Sequence, residues 1–267
     1  MTAPELLEAW ARAMARAGLA AATIDKRRRC LSAIFADLGT QPSRAQVQAW
    51  LDERALSAKS RAVWLSHLHT YYAWATEEGH ADSDPLAGVK APKVGRRLPR
   101  PVTDADLSLL LEEARDPRTR AMVALAALGG LRCCEIANLD RSDVLADRLR
   151  LLGKGNRERI VPMHADVAAA LKGLPLPVAG PVFRGPGGGR LSANAVSHAL
   201  GEHIHACGIA GGAHRLRHWF ATATYAGTHD LRVVQELLGH ASPTTTAIYT
   251  AISADGARAA VATLRTA

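Results

Sequence analysis

The sequence is poor in cysteine and contains no long apolar run. Cys30, Cys133, Cys134 and Cys207 are the four cysteines among 267 residues, and they form no C-x-x-C pair. This spacing suits neither a disulfide framework nor a zinc site, so we expect reduced thiols in a cytoplasmic protein. No apolar segment reaches the roughly 18 to 20 residues of a membrane helix. The N-terminus lacks the basic and then apolar pattern of a signal peptide.

Acidic residues are also scarce relative to basic ones. The chain has 25 Asp and Glu against 33 Lys and Arg, for a net charge of +8. A basic surplus favours a polyanionic partner, because each neutralised phosphate releases counterions, although many basic proteins bind no nucleic acid. The apolar fraction of 48% excludes a disordered chain. The length permits one large domain or two ordinary ones.

Residues 1–89 are predicted to be helical throughout. Thr2 and Glu5 have the spacing of a capping box, and further helices are predicted near residues 23–38, 43–54 and 57–78. The faces opposite the apolar stripes carry a basic set, which is either solvated or binds DNA: Lys26, Arg27, Arg28, Arg29 and Arg61.

The next segment is basic and rich in proline. Residues 85–101 contain four prolines and no acidic residue, a composition that limits helix formation. We therefore predict an extended linker over residues 90–102, between a domain at 1–89 and a domain at 103–267. An ordinary solvated linker and one that follows a DNA backbone both fit its basic residues: Lys90, Lys93, Arg96, Arg97 and Arg100.

Residues 103–239 mix helical periodicity with one short alternating stretch. A helix is predicted from Thr103, and a second runs from Pro117 to a glycine pair at 129–130. Alternation over residues 143–163, with a turn at 153–156, predicts a small antiparallel sheet. Another helix spans 231–238 and ends at Gly239. The predicted fold class is mainly α with one small sheet.

Four blocks in fixed order carry the most specific signal: GLRCCEIANL at 130–139, GKGNRERIVPM at 153–163, HRLRH at 214–218 and LRVVQELLGHASPTTTAIYT at 231–250. Together they resemble the tyrosine recombinases, the phage integrase and Xer-like family. The resemblance covers residues 103–252. It implies a helical, SAM-like core-binding domain followed by a catalytic domain, with the two closing around duplex DNA.

The same resemblance implies site-specific strand exchange through a covalent 3′-phosphotyrosine, without metal, ATP or cofactor. Four protomers on two double-stranded DNA sites are expected. The tail after Tyr249 either docks on a neighbouring subunit or packs within its own chain.

Breaking a DNA phosphodiester requires a nucleophile, cations for the phosphoryl oxygens and an acid for the leaving oxygen. Tyr249 is the predicted nucleophile, because the other three tyrosines lie in apolar helical contexts. Arg132 and Arg217 are predicted to hold the phosphate, since a guanidinium can bind two oxygens at once. Lys154 is the predicted acid. The chain has only six lysines against 27 arginines, and the family places its acid lysine in this turn.

Three more residues complete the predicted site. His214 and His240 can donate hydrogen bonds to phosphate or shuttle the tyrosine proton, and Glu135 is expected to orient Arg132. A zinc site formed by the histidines near Cys207 is disfavoured, because His203 and His205 point apart on a helix.

Two other function classes remain open at this point. A type IB topoisomerase-like enzyme would use the same chemistry to relax supercoils without exchanging strands. A DNA-binding protein on the recombinase scaffold would lack catalysis. The presence of all six predicted catalytic residues argues against it: Arg132, Lys154, His214, Arg217, His240 and Tyr249.

Overall fold

The computed structural model describes residues 1–95, 100–153 and 158–239. The chain divides into two compact units, Met1–Arg96 and Arg97–Ala267. The assignments of residues 1–89 to DNA binding, 90–102 to a linker and 103–267 to catalysis stay predictions. Several predicted residues lie outside the described ranges, and so does the tail: Arg96, Arg97, Lys154, His240 and Tyr249.

The first unit contains four helices within its described residues: α1 (Ala3–Arg16), α2 (Ala21–Leu38), α3 (Arg44–Glu53) and α4 (Ala58–Glu77). Side-chain caps explain where three of them begin. Thr2 and Glu5 form the predicted capping box of α1. The hydroxyls of Ser43 and Ser57 accept from backbone N–H groups in the first turns of α3 and α4.

Tyr71 lies at the centre of the first unit's core. Its ring makes edge-to-face contacts with Trp10, Phe35 and Tyr72, at centroid distances of 5.3, 5.2 and 5.0 Å. Such aromatic pairs add to the stabilisation from apolar burial. Leu86 is completely buried in the same core, so the chain after α4 packs back onto the helices.

His69 on α4 is half-buried because it contacts the segment that follows the helix. Nδ1 lies 2.9 Å from Asp84 Oδ2, and Nε2 lies 3.2 Å from the carbonyl oxygen of Val89. The segment that returns over α4 covers a face that would otherwise be exposed.

The second unit is mainly helical and has one hairpin within its described residues. Its helices are α5 (Asp104–Glu113), α6 (Pro117–Ala127), α7 (Cys133–Asn138), α8 (Ala165–Lys172), α9 (Ala193–Ala206), α10 (His214–Thr228) and α11 (Leu231–Leu238). Strands β1 (Arg148–Leu152) and β2 (Glu158–Pro162) pair antiparallel, with Leu151 opposite Arg159. The predicted class, mainly α with a small antiparallel sheet, is confirmed.

Helix α6 is the centre of the second unit, since all residues from 121 to 127 are buried. It contacts α8, α9 and α10. The predicted bounds of α11 agree with the structure, and Gly239 caps that helix in the left-handed conformation.

Gly130 shapes the turn between α6 and α7. Its φ is +64°, and a Cβ built there would lie 2.5 Å from the Phe220 ring on α10. Both the backbone conformation and the close approach of α10 require glycine.

We predict that Gly130→Ala lowers the free energy of unfolding by about 2–4 kcal/mol, from left-handed strain and overpacking against Phe220. Urea unfolding of the purified variant measures this change. Gly201→Ala is the matched control, because its Cβ meets no atom within 4 Å in α9 and alanine favours a helix. Equal stability of Gly130→Ala and wild type would contradict this account.

Candidate active site

The turn at Gly130 and the start of α10 bring distant parts of the second unit together. Arg132 is the N-cap residue of α7, directly after the Gly130 turn, and α10 begins at His214. Arg217 lies one helical turn into α10, and its Nη1 donates a hydrogen bond to the carbonyl oxygen of Gly130. The structure therefore brings His214, Arg217 and Arg132 into one region, and their catalytic roles stay predictions.

Arg217 is buried, with 1% of its surface exposed. A buried guanidinium is stable only where its charge and N–H groups are satisfied. Besides Gly130, Arg217 donates from Nη2 to the carbonyl oxygen of Leu238 at 2.6 Å, and its Nη1 lies 3.6 Å from Glu135 Oε2. These contacts fix the guanidinium in one orientation.

Arg132 is more exposed and less fully bonded. Its side chain is 34% exposed, and its Nη1 donates to Glu135 Oε1 at 2.9 Å and to the Leu238 carbonyl oxygen at 3.4 Å. Within the part of the chain that the structure describes, Nε and Nη2 of Arg132 make no hydrogen bond. These N–H groups can therefore donate to an incoming anion.

Glu135 is the anion that these arginines share. Its side chain is 4% exposed, and it also accepts from the backbone N–H of Arg132 at 2.8 Å. Burial raises the pKa of this carboxyl group, but the hydrogen bonds and charge of Arg159, the N–H of Arg132 and the charge of Arg217 outweigh burial and lower the pKa to about 2. Glu135 is therefore ionised at neutral pH, in the position from which it can orient Arg132.

Sequence reasoning missed Arg159. Its guanidinium binds both carboxylate oxygens of Glu135, at 2.7 and 2.8 Å. The signal was present in the strand alternation, because Arg159 occupies the same face of β2 as the buried Val161. An arginine at an inward position requires a buried partner, but the sequence does not say which one.

Two histidine rings lie edge to face at the start of α10. The centroids of His214 and His218 are 4.4 Å apart, at an interplanar angle of 70°. Burial, with the charges of Arg217 and Arg132, lowers the pKa of His214. Burial, with His214 and Arg217, lowers the pKa of His218 to about 4. The His218 imidazole is therefore neutral at pH 7, and a neutral imidazole can both donate and accept a hydrogen bond.

The other side of α10 binds the segment that enters the second unit. Arg215 donates from Nε to the carbonyl oxygen of Arg100 at 2.8 Å and from Nη2 to that of Pro101 at 2.9 Å. Trp219 donates from Nε1 to Asp104 Oδ1 at 2.7 Å. Neither contact was foreseen from the sequence. Together they hold α10, with His214 and Arg217, against residues 100–104.

Some of the side chains predicted to bind DNA form contacts within the protein, and others are exposed. Arg28 pairs with Glu8 at 3.1 Å, and Arg61 pairs with Asp52. Arg27 is half-buried, and its Nη1 lies 3.8 Å from Met14 Sδ. The remaining basic side chains in the described ranges are exposed: Lys26, Arg29, Lys90, Lys93 and Arg100. A role in DNA binding stays a prediction for the whole set.

Two further observations concern metal-type clusters and membrane-length helices. Among the described residues, no three His, Cys, Asp or Glu side chains are grouped so as to hold a metal ion. His203 instead contacts the Leu110 carbonyl oxygen at 2.8 Å. No helix in the described ranges is both long and apolar enough to cross a membrane.

Burial of His218 predicts a pH dependence of stability. Its imidazole is neutral in the folded protein down to about pH 4, whereas in the unfolded chain it binds a proton below about pH 6.5. The stabilisation is present above pH 6.5 and is lost as the pH falls towards 4. Between about pH 7 and about pH 4.5, wild type should lose about 2 kcal/mol more than His218→Asn. Urea unfolding at both pH values measures the difference, and equal losses would contradict it.

Comparison with known proteins gives the family. The profile of the Phage integrase family matches residues 102–255. The chain is 39% identical over 263 residues to tyrosine recombinase XerC of Xylella fastidiosa (strain M23), covering 87% of each. It is 40% identical over 215 residues to XerC of Stutzerimonas stutzeri (strain A1501), covering 73% of this chain and 70% of that protein.

Solved structures share the fold. The integrase from mycobacterium phage Brujita aligns with a TM-score of 0.51 and 30% identity, over 96% of this chain and 90% of that one. A lambda integrase dimer bound to a COC′ core site aligns with a TM-score of 0.74 and 22% identity, over 93% and 95%. The matched profile, the XerC relatives and the shared fold lead to one conclusion: the chain belongs to the phage integrase family and is a site-specific tyrosine recombinase.

Proposed function

We propose that this recombinase cleaves and rejoins double-stranded DNA through a covalent link to Tyr249, without metal or ATP. The observation that carries the proposal is the cluster in which Arg132 and Arg217 are both anchored on the Leu238 carbonyl oxygen and on Glu135. Leu238 lies two residues before His240 in the chain. The cluster supplies two oriented cations beside the segment that leads to Tyr249.

The proposed reaction starts at the scissile phosphate, held by Arg132 and Arg217. The phenolic oxygen of Tyr249 attacks phosphorus, and its proton passes to His214 or His240. The bond from phosphorus to the 5′ oxygen breaks, and Lys154 donates the proton that this oxygen takes up. The products are a 3′-phosphotyrosine and a 5′-hydroxyl. Attack by the 5′-hydroxyl of a second strand reverses the steps.

The substrate and assembly are proposed from the relatives. The lambda integrase structures include a dimer on a COC′ core site and a tetramer on a Holliday junction, and XerH was solved with its difH substrate. We propose that this chain likewise acts as four protomers on two DNA sites, at the nucleoid in the cytoplasm. Residues 1–89 would bind the core site, and the tail after Tyr249 would dock either on a neighbouring protomer or within its own chain.

The nucleophile is tested by covalent trapping. Wild type and Tyr249→Phe are incubated in EDTA with nicked suicide duplexes that carry a randomised core, and adducts are resolved on a denaturing gel. We expect an adduct with wild type and none with Tyr249→Phe, because the variant lacks the attacking oxygen while retaining the ring. Sequencing the trapped DNA identifies a cleavable site.

The same experiment separates the other function classes. DNA binding by wild type with no adduct in any pool would sink the enzymatic mechanism and favour a DNA-binding scaffold. An adduct together with relaxation of supercoiled plasmid, but no exchange of strands between two labelled duplexes, would instead indicate topoisomerase-like activity.

The phosphate-binding role of Arg132 is tested by Arg132→Lys. Lysine keeps the charge but cannot bind Glu135 and two phosphate oxygens in one plane. We expect the single-turnover cleavage rate on a trapped site to fall by about 100-fold, with DNA affinity changed much less. Arg148→Lys is the matched control, because Arg148 is exposed on β1 and pairs with its neighbour Asp147. Cleavage by Arg132→Lys at the wild-type rate would exclude a bidentate role.

A further inference from the structure

Arg159 joins three elements of the second unit and has no role in the proposed reaction so far. It is the inward-facing residue of β2 nearest the connection between the two strands, opposite Leu151. Its side chain is 9% exposed. Arginine is rarely buried to this extent unless it is paired.

Its first partner is the Glu135 carboxylate on α7. Nη1 and Nη2 of Arg159 donate to the two oxygens of Glu135 at 2.7 and 2.8 Å. This two-point contact fixes the plane of the carboxylate. The same two oxygens accept from Nη1 and the backbone N–H of Arg132, so the orientation of Arg132 depends on that plane.

Its second partner is the C-terminal end of α11. Nε of Arg159 donates to the Leu237 carbonyl oxygen at 3.0 Å. A Cβ on Gly239 would lie 2.9 Å from Cδ of Arg159, so the backbone of α11 ends directly against this side chain. The next carbonyl, that of Leu238, accepts from Arg217 and Arg132.

The charges give Arg159 a second effect. Glu135 is one buried anion facing three guanidinium groups, from α7, β2 and α10. Arg159 makes the closest of these ion pairs and contacts both carboxylate oxygens, at 2.7 and 2.8 Å. Without Arg159, the negative charge of Glu135 would be balanced by Arg132 and Arg217 alone. The positive charge of these two arginines would then be less available to a phosphate.

We propose that Arg159 is a positioning residue for recombination. It holds Glu135 and the end of α11 in place. The guanidinium groups of Arg132 and Arg217 are thereby oriented towards the scissile phosphate, and their positive charge stays available to it. The inference rests on the proposed function, because it takes these two arginines as the phosphate ligands. Arg159 itself is not expected to touch DNA.

Three variants on one trapped site test the proposal. Arg159→Met removes the charge and all three hydrogen bonds while keeping a long side chain. Arg159→Lys keeps the charge but not the two-point contact. Arg150→Met is the matched control, since Arg150 also bonds a carboxylate through two nitrogens, at 3.1 and 3.0 Å from Asp143, but on the exposed face of the same hairpin.

The quantities measured are the Kd for DNA and the single-turnover cleavage rate at saturating DNA. We expect Arg159→Met to cleave about 100-fold more slowly with Kd changed less than about threefold. Arg159→Lys should recover about tenfold of that loss, and Arg150→Met should cleave within about twofold of wild type. Thermal unfolding of each variant reports the folded fraction at the assay temperature.

A substrate with sulfur in place of the bridging 5′ oxygen shows whether a variant is slow in protonating the leaving group or in binding the phosphate. A thiolate leaves without being protonated, so a variant that lacks the acid is rescued on this substrate, and Lys154→Ala serves as that reference. Arg159→Met should stay slow relative to wild type on the sulfur substrate, because the proposed defect lies in the phosphate-binding arginines. Recovery to the wild-type rate would overturn the proposal.

A double variant tests the charge argument. If Arg159 acts through Glu135, the loss in Arg159→Met with Glu135→Gln should be at least tenfold smaller than the product of the two single losses. If the loss in the double variant equals the product of the two single losses, the proposal is overturned. A loss of cleavage that is matched by an equal loss of the folded fraction would also overturn it. No adduct with wild type would instead contradict the proposed function, whereas normal cleavage by Arg159→Met would contradict this inference alone.

Discussion

The site depends on a single buried carboxylate, that of Glu135. Three guanidinium groups within one region would repel one another, and burying them without an anion would be unfavourable. Glu135 accepts hydrogen bonds from Arg132 and Arg159 and forms an ion pair with Arg217. Because the positive side chains outnumber the carboxylate, the cluster keeps a net positive charge, which suits it to a phosphate.

Backbone carbonyl groups provide the other constraint. The end of α11 turns the carbonyl oxygens of Leu237 and Leu238 towards the cluster, where Arg159, Arg217 and Arg132 donate to them. The last carbonyls of a helix have no partner within the helix and carry partial negative charge. The C-terminus of α11 is therefore stabilised by the arginines that it orients. This coupling fixes the backbone just before His240.

The rest of the second unit holds these elements rigid. Residues 121–127 of α6 are all buried, and the glycine turn that follows the helix allows α10 to come close. Arg215 and Trp219 fix the opposite side of α10 to residues 100–104. Helix α10 therefore carries two of the predicted catalytic residues, His214 and Arg217, and also binds the segment at residues 100–104. A tightly packed unit of this kind can hold side chains within the narrow tolerance that phosphoryl transfer requires.

Much of the molecule was determined by the sequence alone. The capping box of Thr2 and Glu5, the hairpin and the bounds of α11 depend on neighbouring residues, so local patterns predicted them. The resemblance to the family implied that Arg132, His214 and Arg217 lie together, and the structure brings these three residues into one region. Tertiary structure alone decided the partners of His69, Arg159 and Trp219, because each binds an element distant in the chain. Periodicity shows which face of an element points inward, but not which group meets it there. That depends on how the elements pack, and packing brought Glu135 to Arg159.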